Sequence, residues 1–220
     1  MKFFAVNGSP RKKNNTMALL EESLKGVISV LPEAETKIIN LYKLDYSGCV
    51  SCFACKKLDG KSYGRCKVKD DLKDVLRALA QADGIIFGSP IYFAGITGEM
   101  RSFLERLLFQ YYVYDEARTS LAPKKMPTAF IYTMGATKES MLERKYPERL
   151  SDMESFIEKV FTKPAVLYCC NTYQFDDYSK YKNSFSEPAK AKHRAQQFPK
   201  DLKQAFAIGA AMAKAAGPKS

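Results

Sequence analysis

The chain has 220 residues, 46% hydrophobic and 27% charged, the proportions of a soluble globular protein, which argue against disorder and fibrous repeats. Its length fits a single domain, 1–220, with extensions. Thirty-five basic against 24 acidic side chains give a net charge of +11, an excess that suits a polyanionic or phosphorylated partner without choosing among nucleic acid, anionic lipid and small phosphate ligands.

Lys2–Asn7 (KFFAVN) is a short apolar run ending at Gly8-Ser9-Pro10, the pattern of a buried strand. It is too short for a secretory core of about 7–15 apolar residues. No stretch approaches the ~18 apolar residues of a spanning helix, so a cytoplasmic chain with no membrane partner is expected. Asn15–Val30 spaces Met17, Leu20, Leu24, Val27 and Ile28 as a helix does, with Pro32 as its stop. Thr36–Leu41 is a second strand, and 47–67 a cysteine-rich loop. Asp70–Ala82 is a helix with an aspartate at its N-cap. Gly84–Phe87 is a third strand, again ending in Gly-Ser-Pro, and Gly98–Leu108 an amphipathic helix. Pro127–Thr133 is a fourth strand, closed by Met134-Gly135; Leu150–Phe161 is a helix and Pro164–Cys170 a fifth strand. A polar, tyrosine-rich excursion follows over 172–197, then a last helix, Phe198–Ala216.

Five strands alternating with helices predict an α/β, three-layer sandwich around a parallel sheet. The order 2-1-3-4-5 is expected, which puts a ligand crevice outside the carboxyl ends of the first and third strands. The dinucleotide alternative needs G-x-G-x-x-G after the first strand, and Gly8-Ser9-Pro10-Arg11 lacks the second glycine. The loop NGSPRKKNNT enters a helix N-terminus, where unpaired N–H groups attract anions. Ser9 and Thr16 add hydroxyls, and Arg11 can fork onto phosphate oxygens. A monophosphate suits this loop better than a triphosphate, because no Walker lysine is present. In GSPIYFAGITGEM, Ile91, Tyr92 and Phe93 can cover a flat ring.

Cys49, Cys52 and Cys55 are spaced C-x2-C-x2-C, and Cys66 follows ten residues after Cys55. Clustered cysteines in a reducing compartment point to metal or redox chemistry. An iron-sulfur cluster, a tetrahedral zinc site and a thiol-rich loop that oxidises to a disulfide are all compatible with that spacing. Cys169 and Cys170 read as small buried hydrophobes. His193, the only histidine, reads as a solvated helix residue. The lysines are scattered and carry no nucleic-acid motif.

NGSPRKKNNT, GCVSCFACKK with GRCKVKDDL, and ADGIIFGSPIYFAGITGEMRSFLER together resemble the flavodoxin-like NAD(P)H-dependent FMN reductases and, within them, the iron-sulfur flavoproteins. The resemblance covers about residues 1–135 by motif. It implies non-covalent FMN, with the phosphate held by Ser9, Arg11, Asn15 and Thr16. The ring would lie against Pro90, Ile91, Tyr92 and Phe93, and its pyrimidine edge near Thr133, Met134 and Gly135. It further implies reduction by NAD(P)H, a small-molecule acceptor such as a quinone, nitro compound, free flavin or oxygen, and a homodimer or tetramer. A 4Fe-4S cluster on Cys49, Cys52, Cys55 and Cys66 is conditional on that kinship. A non-catalytic electron-transfer protein is the alternative.

Overall fold

The computed structural model describes residues 1–217. Five parallel strands form the sheet: β1 (Lys2–Asn7), β2 (Glu35–Asn40), β3 (Gly84–Tyr92), β5 (Thr128–Thr133) and β6 (Ala165–Cys169), in the order β2-β1-β3-β5-β6. A two-residue strand, β4 (Gly95–Ile96), folds back antiparallel on the end of β3. Numbered among the parallel strands alone, the order is the expected 2-1-3-4-5.

Alternation along the strands divides the core in two. Phe3, Ala5, Ile86, Ala129 and Ile131 face α1 (Asn15–Val30) and α6 (Glu187–Ala216). Phe4, Val6, Ile85, Phe87, Phe130 and Tyr132 face α2 (Leu72–Leu79), α3 (Gly98–Phe109) and α5 (Tyr146–Val160). A short α4 (Lys138–Glu143) follows β5. Central strands covered on both sides need apolar residues at every position, which is why β1 and β5 read as continuous runs.

Most element ends lie close to those expected, and three do not. α5 begins at Tyr146, four residues before the expected Leu150, with Pro147 in its first turn. β3 continues through Gly88-Ser89-Pro90 to Tyr92, because Ser89 and Pro90 stay in register with Tyr132 and Thr133. It then turns over Phe93 and Ala94, with φ of 51° and 65°. Positive φ at both turn positions is what a tight hairpin demands, ordinarily of Asn and Gly. The last helix begins at Glu187 rather than Phe198, so the excursion is confined to residues before it. Ser186 caps it, Pro188 sits in the first turn, and the helix runs on through Pro199. The sequence 187–197 lacks an apolar stripe because its buried contacts are made by Lys190 and other polar groups. Among the described residues no helix is long and apolar enough to cross a membrane.

α1 and α6 cross at direct backbone contact. A methyl group on Gly26 would collide with the Phe206 carbonyl, and one on Gly209 with the Ser23 carbonyl. Gly209→Ala is therefore expected to destabilise the protein by about 3 kcal/mol, the upper range for overpacking a rigid contact. Urea denaturation should show a lowered midpoint, whereas an unchanged midpoint would mean the two helices can separate without cost.

Candidate functional site

Three strand ends are stitched together at the carboxyl edge of the sheet. The Gly8 N–H donates to the Gly88 carbonyl at 2.8 Å. The Thr97 hydroxyl, at the N-cap of α3, donates to the Gly8 carbonyl at 2.8 Å, and the Thr97 N–H donates to Ser89 Oγ at 3.1 Å. Thr16 and Thr133 share a hydroxyl hydrogen bond of 2.8 Å that ties the start of α1 to the end of β5. Gly88 permits this convergence, since a side chain there would meet Thr16 and Leu20 at 2.9 Å.

Between these ends lies a cleft of about 110 Å³ lined by Ser9, Arg11, Asn15, Thr16, Pro90, Ile91, Tyr92, Thr133, Met134 and Gly135. Ten of the eleven residues expected around a flavin thus share one cavity. The eleventh, Phe93, does not line it, because the hairpin turn holds its ring wholly in solvent. The cleft wall also includes Thr172, Tyr173, Gln174 and Phe175, which sequence reasoning left in a surface excursion. Asn15 Nδ2 donates to the Tyr173 carbonyl at 3.0 Å, and Arg11 donates to the Gln174 carbonyl. Arg194 in turn donates to Asn15 Oδ1 at 2.6 Å. The donors at the mouth of the loop are therefore aimed at acceptor oxygens, here those of residues 173 and 174 in a strap that joins β6 to α6. The Gln174 amide fills the space a side chain on Gly135 would take, its Cδ lying 2.7 Å from that position. The polar, tyrosine-rich composition of 172–197 is the sequence signal for this strap. Among the described residues, Arg11 is the sole charged side chain in the lining, and no carboxylate, histidine or cysteine is present.

The four loop cysteines surround a second cavity, with Phe53, Arg106, Phe109 and Gln110 completing its wall. None is in a disulfide. Arg106 is the organising group: it is 1% exposed, its Nε donates to Cys66 Sγ at 3.0 Å, and its two terminal nitrogens grip Asp70 at 2.7 and 3.1 Å. It also donates to the Ser47 carbonyl at 3.0 Å, so one guanidinium pins both ends of the loop to α3. Lys56 donates to the carbonyls of Phe109 and Tyr112. Burial pushes the Cys55 thiol up, an effect opposed by the Lys56 charge. Among the described residues no three His, Cys, Asp or Glu side chains gather closely enough to hold one metal ion. The thiols thus ring a space without converging on a point, unlike the ligands of mononuclear zinc.

Behind the cleft, Cys169 is buried as expected, but its thiol donates to Asp201 at 3.1 Å. Burial, reinforced by the Asp201 charge, pushes that thiol far up. Burial raises the Cys170 thiol to about 11. His193 is half-buried rather than solvated, and its Nε2 has no hydrogen-bond partner among the described residues.

Residues 1–143 match the sequence family described as NADPH-dependent FMN reductase. The chain is 34% identical over 106 residues to an iron-sulfur flavoprotein of Methanocaldococcus jannaschii, covering 48% of this chain and 51% of that protein. It is 40% identical over 106 residues to an iron-sulfur flavoprotein of Archaeoglobus fulgidus, covering 48% of each. The chain thus spans about half the length of the curated relatives it matches. Among solved structures, the azoreductase AzrA superposes with a TM-score of 0.67 at 12% identity, over 96% of this chain and 100% of that one. An NAD(P)H:quinone oxidoreductase from Methanothermobacter marburgensis gives a TM-score of 0.65 at 14% identity, over 96% and 98%. At such identities these structures speak to the fold, a flavodoxin-like sandwich.

The Arg106 fork holds the Asp70 carboxyl below the usual carboxylate range. Its stabilisation is fully present above about pH 4 and is lost as pH falls through the depressed folded value. Asp70→Asn is expected to cost about 2 kcal/mol at pH 7 by leaving Arg106 underpaired. The deficit should shrink on acidification. Urea titrations at neutral and strongly acidic pH check both, and a deficit independent of pH would mean the ion pair is not its source.

Proposed function

The chain belongs to the NADPH-dependent FMN reductase family, and from that premise we propose that it is an FMN-dependent oxidoreductase. It would pass electrons from NAD(P)H, or from an iron-sulfur centre, to a small acceptor such as a quinone, nitro compound, flavin or oxygen. The observation that carries this reading is the assembly of Ser9, Arg11, Asn15 and Thr16 with Pro90–Tyr92 and Thr133–Gly135 around one cleft. When bound, FMN supplies the ring that takes up and releases electrons.

What the protein's own residues do follows from their chemistry. Arg11 and Asn15 exchange the strap carbonyls for phosphate oxygens, a charge-assisted replacement for a neutral one. Thr16 keeps its bond to Thr133, which fixes the distance between the phosphate loop and the β5 end. Tyr92 is 46% exposed at the rim and offers an aromatic face to a planar ligand. Cleft residues orient and desolvate, because none is placed to act as a general acid or base. The N–H groups of Gly135 and Ala136 have no acceptor among the described residues and are available to electronegative ring atoms.

Cys49, Cys52, Cys55 and Cys66 would hold a 4Fe-4S cluster. The four thiols line one cavity of about 20 Å³ with no disulfide among them, so the loop would have to open for each thiolate to take an iron of the cluster. Arg106 and Lys56 would offset its negative charge. Assembly as a homodimer or tetramer belongs to the same reading.

Visible spectra of protein purified without air, with iron assayed on the same sample, test this directly. Two resolved flavin bands on a broad brown absorption, with about four irons per chain, are expected. Flavin bands without iron would remove the cluster and leave the reductase; a colourless protein that takes up no added FMN would remove both. Arg11→Ala is expected to weaken FMN binding by 10- to 100-fold, the equivalent of a charged hydrogen bond of about 1.5–3 kcal/mol. Arg77→Ala, on α2 and remote from the cleft lining, should bind as the parent does. Equal affinities in the two variants would withdraw the phosphate assignment.

A further inference from the structure

Lys190 is a buried cation that the proposed reaction does not use. It lies in the first turns of α6 and is 4% exposed. Its ammonium donates to Asn171 Oδ1 at 2.8 Å and to the carbonyls of Gly135 and Thr172 at 3.3 Å each. The Phe185 ring covers it at 4.6 Å. Among the described residues no carboxylate forms an ion pair with it. Burial lowers its affinity for the proton. Removing an unpaired ammonium from water is costly even when neutral oxygens surround it, and an apolar residue would fill the same space more cheaply.

Two of its three acceptors are in residues of the cleft lining, Gly135 and Thr172. In a planar trans peptide the C=O and the N–H point in opposite directions. Drawing the Gly135 carbonyl onto Lys190 therefore turns the Ala136 N–H to the opposite side of the loop, where it meets no acceptor among the described residues. The ammonium also polarises that peptide and strengthens its N–H as a donor. Asn171 completes the clamp: its φ of 50° is left-handed, and its N–H donates to the Ala136 carbonyl at 2.7 Å. The β5 and β6 loops are thus locked together around one positive charge.

We propose that Lys190 is a positioning residue that sets the electron affinity of the site. It fixes the Ala136 N–H, and its charge favours the reduced ring over the oxidised one. Two electrons and one proton leave an isoalloxazine with one net negative charge, so a fixed cation behind the cleft wall stabilises that state selectively. This inference rests on the FMN reading above.

The test compares the parent with Lys190→Gln, Lys190→Arg and Asn171→Asp. Glutamine keeps donors and removes the charge, arginine keeps the charge, and aspartate neutralises the ammonium without deleting it. Oxidised FMN affinity is measured by fluorescence quenching and the midpoint potential by dye-coupled titration. Lys190→Gln and Asn171→Asp are expected to bind oxidised FMN within about threefold of the parent and reduced FMN about tenfold more weakly. For a two-electron couple, tenfold is a fall of about 30 mV. Lys190→Arg should hold the parent potential. Unchanged potentials in all variants, or an equal loss of affinity for both redox states, would reduce Lys190 to a structural anchor and overturn the proposal. Asn171→Asp decides the matter should Lys190→Gln fail to fold. A parent protein that binds no FMN would instead overturn the underlying reading, a result distinct from either.

Discussion

The backbone-to-backbone approach of α1 and α6 governs the rest of the molecule. With glycine at 26 on one helix and at 209 on the other, each helix meets a carbonyl of its partner with no side chain between them. Helices normally pack with axes 8–10 Å apart, a spacing set by the side chains at the contact; removing those side chains draws the pair together. α1 starts at the end of the cleft formed by the loop after β1, so its partner is drawn to that end too. The polar first turns of α6 then overlie the carboxyl edge of the sheet, where Arg194 reaches Asn15 and Lys190 reaches Gly135. A contact that is purely steric in origin therefore delivers the charged groups to the site.

The strap between β6 and α6 works on the same groups from the other side. The buried Asn15 would otherwise present a bare donor at the mouth of the cleft, and an unsatisfied donor is costly where water is excluded, whereas Arg11 lies in solvent. Tyr173 and Gln174 supply carbonyl oxygens, and the aromatic cluster of Phe175, Tyr178 and Tyr181 gives the strap its own packing, with Phe175 and Tyr181 stacked at 4.3 Å. A site that satisfies its donors internally stays ordered before a ligand arrives. It also makes any anion compete with two backbone carbonyls, so selectivity for a strong acceptor is built in.

The sheet was legible because burial on both faces leaves an unmistakable mark: Phe3 to Val6, Ile85 to Phe87 and Ala129 to Ile131 are continuous apolar runs, and nothing polar interrupts them. That Ser9, Arg11, Asn15 and Thr16 share one cleft, and the four cysteines one cavity, was legible by residue type and spacing. What escaped detection was structure held by polar contacts. Residues 187–197 carry no apolar stripe, so the helix was read as starting at Phe198, although Ser186 and Pro188 were present as start signals. Phe93 is expected at the ring site from its aromatic chemistry and from the family resemblance, but the hairpin turn that faces it to solvent depends on register with β4, which single-residue preference does not encode. The strap was missed for the same reason, since its attachment to Arg11 and Asn15 spans more than 150 residues of sequence.

Among the described residues, two basic side chains are as deeply buried as the core, and each stands behind a different cavity. Arg106 backs the ring of cysteines and Lys190 backs the cleft. Their surroundings differ in a way that matters. Arg106 is matched by the Asp70 carboxylate and so contributes to stability while lending one donor to Cys66. Lys190 has neutral oxygens only, so its charge is not cancelled locally and its field extends into the cleft. The distinction follows the demand each cavity makes. Cluster-ligating thiolates would carry permanent negative charge and need a balanced counter-charge, whereas a flavin ring alternating between neutral and anionic states would be biased most by a charge that nothing else offsets. The surface excess of +11 is screened by salt within about 8–10 Å, but these two interior charges are not, and it is they, rather than the net charge, that give the molecule its electrostatic character where electrons would reside.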